Sequence, residues 1–183
     1  NAIAGAIELL NKRNRKQTDV SRLFIYYYER LLENTVNYDS GAYIRDGIKA
    51  CYTYGSPLEQ LWPYDVTKYR TKPTAPAVTD ALKRKVTLYT RVLDHNGCLD
   101  ALTNGYPVTI GFQVYSSFET LAVARTGIMP YPNKATEQII GGHAICLVGY
   151  NDSNNTFIGS SAGQSNTTGA YNTFIGSAAG QCN

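Results

Sequence analysis

Apolar residues recur at helical spacing in the first third of the chain and predict three helices. The first covers residues 1–10, where apolar side chains three or four positions apart share one face. The second covers residues 22–33 and follows Ser21, a residue type that caps helix N-termini. The third covers residues 43–52, after a turn at residues 39–42.

Apolar and β-branched residues dominate the second half of the chain and predict strands. Strands are expected over residues 86–92 and 107–112, and the strongest apolar run, residues 139–150, predicts a central strand entered through a glycine pair. A short helix is expected over residues 96–103, whereas residues 115–124 fit either a short helix or a loop. Helices therefore come first in the chain, and most strands come later.

This order of elements is typical of an α+β protein with two lobes. We expect a helical lobe over residues 1–84, a partial antiparallel β lobe over residues 85–154 and a repeat tail over residues 155–183. In the tail, the sequence Asn-Thr-Phe-Ile-Gly begins at Asn155 and again at Asn172, with a period of 17 residues. A repeat of this kind predicts stacked β structure or an array.

Composition and charge exclude several classes of partner. The chain has 17 Lys and Arg against 14 Asp and Glu, a net charge of +3, which gives no reason to expect nucleic acid or a membrane surface. The densest basic run, residues 12–16, is expected to be a solvated loop. No apolar stretch approaches the about 18 residues of a membrane span. No signal peptide or initiator Met is visible at Asn1, so we expect a longer protein. Oligomeric state and compartment stay open.

The cysteines do not suggest a metal site. They lie far apart, form no Cys-x-x-Cys pair and match no zinc spacing. Their even number permits disulfides without requiring them. The four residues are Cys51, Cys98, Cys146 and Cys182.

Three parts of the chain together resemble one enzyme family. In chain order they are residues 1–8, then residues 39–42 leading to 61–65, then residues 106–111, 126–129 and 142–150. The first is similar to the helix after the Ser-Cys-Thr-Ala segment of papain-like cysteine peptidases. The second is similar to that family's glycine turn and Tyr-Pro-Tyr stretch, and the third to its Pro-Val strand, Gly-Ile segment and catalytic-histidine strand. The tail resembles Asn-Thr-Phe-Ile-Gly repeats of bacterial and phage fibre or adhesin-like proteins.

The papain-like resemblance implies peptide-bond hydrolysis by a Cys-His pair, without a metal or organic cofactor, on an extended peptide or protein substrate. Such chemistry needs a thiolate nucleophile and a histidine that takes up the proton and returns it. The resemblance assigns the role of base to His143, which follows the glycine pair on a predicted strand; the alternative is a core histidine. His95 is expected at the surface, in a turn over residues 94–97.

The resemblance also implies five substrate-binding residues. Ser40 and Gly41 fall where the family's glycine pair hydrogen-bonds the substrate backbone, although a turn glycine needs no role beyond positive φ. Trp62 and Tyr64 are candidates either for lining the groove or for packing under a proline-rich loop. Gly142 lets the substrate backbone approach the histidine.

Parts of the family pattern are missing from this sequence. The nucleophilic cysteine and the oxyanion-hole glutamine are expected upstream of Asn1. The orienting asparagine is expected soon after a strand at residues 157–158, where Ser161 stands instead. None of the four cysteines is expected to replace the nucleophile. Cys146, for example, lies three residues from His143 on a predicted strand and therefore points to the opposite face.

These departures leave three functional hypotheses. The first is a thiol endopeptidase, or a degraded descendant of one, that acts on extended peptides. The second is a relative that binds peptides without cleaving them, which the missing cysteine and asparagine would explain. The third is a structural or adhesive protein whose working part is the repeat tail.

Overall fold

The computed structural model describes residues 1–16, 18–151, 155–158 and 173–175, which fall into two compact units. The first, called the helical unit, comprises Asn1 and Ile3–Arg91. The second, called the sheet unit, comprises Ala2 and Val92–Asn183. The domain boundaries expected from the sequence, after residues 84 and 154, stay predictions.

The helical unit contains the three predicted helices. Ser21 caps the second of them, because its Oγ accepts a hydrogen bond from the N–H of Phe24 at 3.1 Å. A fourth, short helix follows an irregular stretch that holds two 3₁₀ turns, Glu59–Leu61 and Val66–Lys68. The helices are α1 (Ala2–Arg13), α2 (Arg22–Leu32), α3 (Ile44–Tyr54) and α4 (Ala75–Ala81).

Helix α2 is buried on more than one side, which explains its unusual sequence. Its run of aromatic and β-branched residues has the local preference of a strand. Leu23 and Phe24 pack into one core cluster with Trp62, whereas Ile25 packs into a second with Ile3. Burial against two clusters outweighs the weak local preference, since helix propensity differs by less than about 1 kcal/mol per residue among these residue types.

The C-terminus of α3 depends on Gly55. This residue has φ 80° and ψ −163°, a conformation that is essentially restricted to glycine. A Cβ atom at this position would lie 2.0 Å from the backbone oxygen of Ala81. We therefore expect Gly55→Ala to lower the free energy of unfolding by about 3 kcal/mol or more, because strain and overlap add.

Gly5 provides the matched control for this substitution. It lies inside α1, and a Cβ atom there would meet nothing within 4 Å. Gly5→Ala should raise the free energy of unfolding by about 0.5–1 kcal/mol, because alanine favours the helix. Urea unfolding followed by circular dichroism measures both variants. Equal stability of the two would contradict this account of the α3 terminus.

Among its described residues, the sheet unit contains two α-helices and one four-stranded sheet. The strand order is β1-β2-β3-β4, so the long strand β2 is central, as predicted. The first three strands are antiparallel, and one face of β1 and β2 packs against α5 through Val108, Ile145 and Leu147. The elements are α5 (His95–Thr103), β1 (Val108–Tyr115), α6 (Leu121–Thr126), β2 (Ile139–Asn151), β3 (Asn155–Ile158) and β4 (Thr173–Ile175).

The two copies of the repeat pair with each other. Strands β3 and β4 are parallel, and Thr156 lies opposite Thr173, its counterpart in the second copy. Phe157 and Ile158 lie opposite Phe174 and Ile175 in the same way. The register therefore equals the 17-residue period of the sequence.

Two local predictions are wrong. Residues 86–92 form no strand and have no regular secondary structure; the N–H of Val86 donates instead to the carbonyl of Cys51 in the last turn of α3. Residues 94–97 begin α5 rather than forming an isolated turn, because the Asp94 carboxylate caps the helix by accepting from the N–H of Gly97 at 2.8 Å. His95 is exposed, as predicted.

Candidate active site

His143 lies on the central strand β2, directly opposite Phe112 of β1. Its imidazole is exposed, and two aromatic rings flank it. The ring of Phe112 is perpendicular to the imidazole at a centroid distance of 6.0 Å, and that of Phe118 is tilted at 6.2 Å. Aromatic rings prefer such tilted and edge-to-face arrangements. The imidazole is therefore presented to solvent on a strand, beside two aromatic rings.

The sequence did not single out this pair of phenylalanines. Phe118 follows β1 in a 3₁₀ turn, Ser116–Glu119, and contacts the ring of Phe112 at 5.7 Å. The register of β1 against β2 brings both rings to His143, and this register depends on contacts about 30 residues apart in the chain. The sequence offers one signal for the position of Phe112. Side chains alternate between the two faces of β1, so Phe112 lies on the same face as Val108.

The cysteines described by the structure do not resemble activated nucleophiles. Cys146 lies three positions after His143 on β2. Since side chains alternate between the two faces of a strand, Cys146 lies on the face opposite to His143. Burial raises the pKa of Cys51 to about 12 and that of Cys146 to about 11. Burial also raises the pKa of Cys98. A raised pKa disfavours the thiolate that nucleophilic attack requires. Cys182 and Ser161 lie outside the described residues.

The glycine turn in the helical unit is well defined by hydrogen bonds. Gly41 has φ 68°, so its backbone is in the left-handed region that favours glycine. Its N–H donates to the hydroxyl of Tyr26 at 3.2 Å, and its carbonyl accepts from Ser40 Oγ at 3.1 Å. The Tyr26 hydroxyl in turn donates to Asp39. Burial, followed by this bond to Asp39, raises the pKa of Tyr26 to about 12.

Arg30 is fully buried beneath this turn. Its Nη1 atom donates to the carbonyls of Val36 at 2.8 Å and Tyr38 at 2.9 Å, and its Nη2 atom donates to the carbonyl of Tyr69. Its Cζ lies 4.0 Å from the centroid of the Tyr26 ring, a cation–π contact. Arg30 therefore joins the segment before the glycine turn to the irregular stretch after α3.

The other predicted substrate-binding residues have different surroundings. Trp62 is 7% exposed and packs in the core of the helical unit, which favours its packing role. Tyr64 is 59% exposed and lines a pocket of about 350 Å³ with Asp19, Arg22 and Glu59. Gly142 is exposed on β2, where the nearest atom to an added Cβ would be 3.9 Å away. Ser40 is exposed beside Gly41.

The part of the chain that the structure describes has neither a cluster of metal ligands nor a membrane-spanning helix. No group of three or more His, Cys, Asp or Glu side chains there is arranged to hold a metal ion. None of the described helices combines the length and apolar character needed to cross a bilayer.

Comparison with known proteins identifies related sequences. No protein-family model matches the chain. An uncharacterized peptidase C1-like protein of Acanthamoeba polyphaga mimivirus is 43% identical over 166 residues, which cover 86% of this chain and 53% of that protein. The chain thus spans about half the length of this curated relative.

Two solved structures are similar to this chain in fold, and one of them is also similar in sequence. Xylellain, a cysteine protease from Xylella fastidiosa, matches 83% of this chain and 62% of its own with a TM-score of 0.72 and 37% identity. Procathepsin L 3 from the Tenebrio molitor larval midgut matches 85% of this chain and 49% of its own, with a TM-score of 0.58 and 15% identity, which bears on the fold alone. These relatives do not confirm the likeness of the tail to fibre or adhesin-like proteins. The chain is therefore similar in sequence to a viral peptidase C1-like protein and to the cysteine protease xylellain, and it has the α+β fold of papain-like cysteine proteases.

Proposed function

We propose that the protein to which this chain belongs hydrolyses peptide bonds as a papain-like cysteine peptidase. In this proposal His143 is the general base, and the nucleophile is a cysteine a few residues before Asn1. The observation that carries the proposal is the exposed imidazole of His143, flanked by Phe112 and Phe118 on the central strand. The similarity to xylellain and to the viral peptidase C1-like protein supports it.

In this proposal the reaction needs only His143, the cysteine before Asn1 and water. The imidazole accepts the thiol proton, and the thiolate attacks the substrate carbonyl to give a tetrahedral intermediate. The imidazolium then returns the proton to the leaving amine, and water releases the acyl group from the thioester. In this proposal Tyr64 and the backbones of Ser40, Gly41 and Gly142 contact an extended peptide or protein substrate.

A fluorogenic peptide assay tests the proposal on protein expressed from the complete reading frame. We expect hydrolysis that a thiol-alkylating reagent abolishes. Saturable peptide binding without hydrolysis would instead support the non-catalytic hypothesis. Absence of both binding and hydrolysis would contradict both hypotheses. The structural hypothesis then predicts a stable assembly in analytical ultracentrifugation that disappears when residues 155–183 are deleted.

A further inference from the structure

Both backbone polar groups of Gly41 are already paired inside the helical unit. The N–H donates to the Tyr26 hydroxyl at 3.2 Å, and the carbonyl accepts from the Ser40 hydroxyl at 3.1 Å. An extended peptide that docks along a chain segment does so by pairing with backbone N–H and C=O groups of this kind. A peptide carbonyl that pairs with the N–H of Gly41 must therefore displace the Tyr26 hydroxyl, whereas a peptide N–H meets a carbonyl that already has one of its two lone pairs occupied by Ser40.

The Tyr26 hydroxyl is oriented for this role from two sides. It donates its proton to the Asp39 carboxylate, which leaves an oxygen lone pair free to accept the N–H of Gly41. The ring of Tyr26 stacks against the buried guanidinium of Arg30, at 4.0 Å from its Cζ atom to the ring centroid. Both contacts hold the hydroxyl beside Gly41 before any ligand arrives.

We infer that Tyr26 and Ser40 are built-in competitors of the peptide at Gly41, and that they set how tightly this turn holds a peptide backbone. The inference rests on the proposed function, because it takes Gly41 as a peptide-binding residue. The ligand class is an extended peptide that offers a backbone carbonyl to the N–H of Gly41 and a backbone N–H to its carbonyl. Peptide binding exchanges the internal hydrogen bond of the Gly41 N–H for an intermolecular one, while the Ser40 hydroxyl occupies one of the two lone pairs of the carbonyl.

Hydrogen bonds other than that of the Tyr26 hydroxyl hold the turn in place. They determine whether removal of this hydroxyl strengthens or weakens peptide binding. Arg30 donates to the carbonyls of Val36 and Tyr38 just before the turn. The Glu33 carboxylate accepts from the N–H of Tyr43 just after it, at 2.8 Å. These contacts do not involve the Tyr26 hydroxyl. Its removal therefore leaves the turn in place and exposes the N–H of Gly41, which strengthens peptide binding.

Two measurements on the chain itself test the inference, with Tyr26→Phe as the main variant and Tyr38→Phe as the control. Tyr38 belongs to the same loop and is 69% exposed. NMR hydrogen exchange reports on the N–H of Gly41, and titration with acetyl-tetraalanine amide reports on binding. In Tyr26→Phe we expect exchange and affinity each to increase about threefold to tenfold, the equivalent of one hydrogen bond. Tyr38→Phe should behave as the wild type.

Ser40→Ala tests the hydrogen bond to the carbonyl of Gly41, as Tyr26→Phe tests the one from its N–H. We expect it to tighten binding of the same peptide by about twofold to threefold without changing the exchange of the Gly41 N–H, because it frees only the carbonyl. Unchanged or weaker binding by Tyr26→Phe, in a chain that does bind the peptide, would overturn the inference alone. Absence of binding in every variant would overturn it together with the peptide-binding role of Gly41.

Discussion

Replacing His143 by alanine should reduce kcat/KM for peptide hydrolysis by about 10³-fold or more in the protein from the complete reading frame, because general base catalysis contributes up to about 10⁴-fold. The imidazole is exposed and the side chain lies on a strand surface, so the substitution should leave the fold intact. Circular dichroism and thermal unfolding verify this before rates are compared.

His95 is the natural control for this prediction, because the sequence contains two histidines. His95 is exposed in the first turn of α5. His95→Ala should leave kcat/KM within about twofold of the wild type, since surface substitutions rarely act beyond their own neighbourhood. Equal activity of His143→Ala and wild type would show that the base has been assigned to the wrong residue.

Replacing Arg30 by methionine should decrease the free energy of unfolding by about 4 kcal/mol. Among the substitutions proposed for this chain, we expect this loss of stability to be the largest. The methionine side chain fills part of the space but donates no hydrogen bonds. The carbonyls of Val36, Tyr38 and Tyr69 would then lose a buried donor, each at a cost of about 1–3 kcal/mol before relaxation. Urea unfolding at neutral pH measures the difference.

Arg70→Met is the matched control for Arg30→Met. Arg70 also stacks on Tyr69, at 4.9 Å from its Cζ atom to the ring centroid, but it lies at the surface. Its loss should cost less than about 1 kcal/mol. Similar losses for the two variants would mean that the buried carbonyls find other partners and that Arg30 does not hold these segments together.

The sequence was most informative where the structure depends on local spacing. The apolar periodicity of α1 to α3 and the cap at Ser21 are local features, and the structure confirms them. The apolar run of β2 also predicted a central strand, and β2 is central in the sheet, although only Ile145, Cys146 and Leu147 are buried among its residues with described burial.

The features that the sequence did not predict depend on contacts between residues that are far apart in the chain. Residues 86–92 have the composition of a strand, but a strand also needs a partner at the right distance, and the chain offers none in the described helical unit. Arg30 looks like an ordinary surface residue in sequence, whereas its contact with Tyr69 spans 39 residues. The hydroxyl of Tyr26 reaches Gly41 only because the loop after α2 folds back.

Covalent labelling tests the central claim most directly. Protein from the complete reading frame is treated with a peptidyl halomethyl ketone, and mass spectrometry locates the modified residue. We predict stoichiometric modification of one cysteine within a few residues before Asn1, with a rate that falls sharply in His143→Ala. Modification of Cys51, Cys98 or Cys146 instead, or a rate that does not depend on His143, would contradict the assignment of a Cys-His pair to this protein.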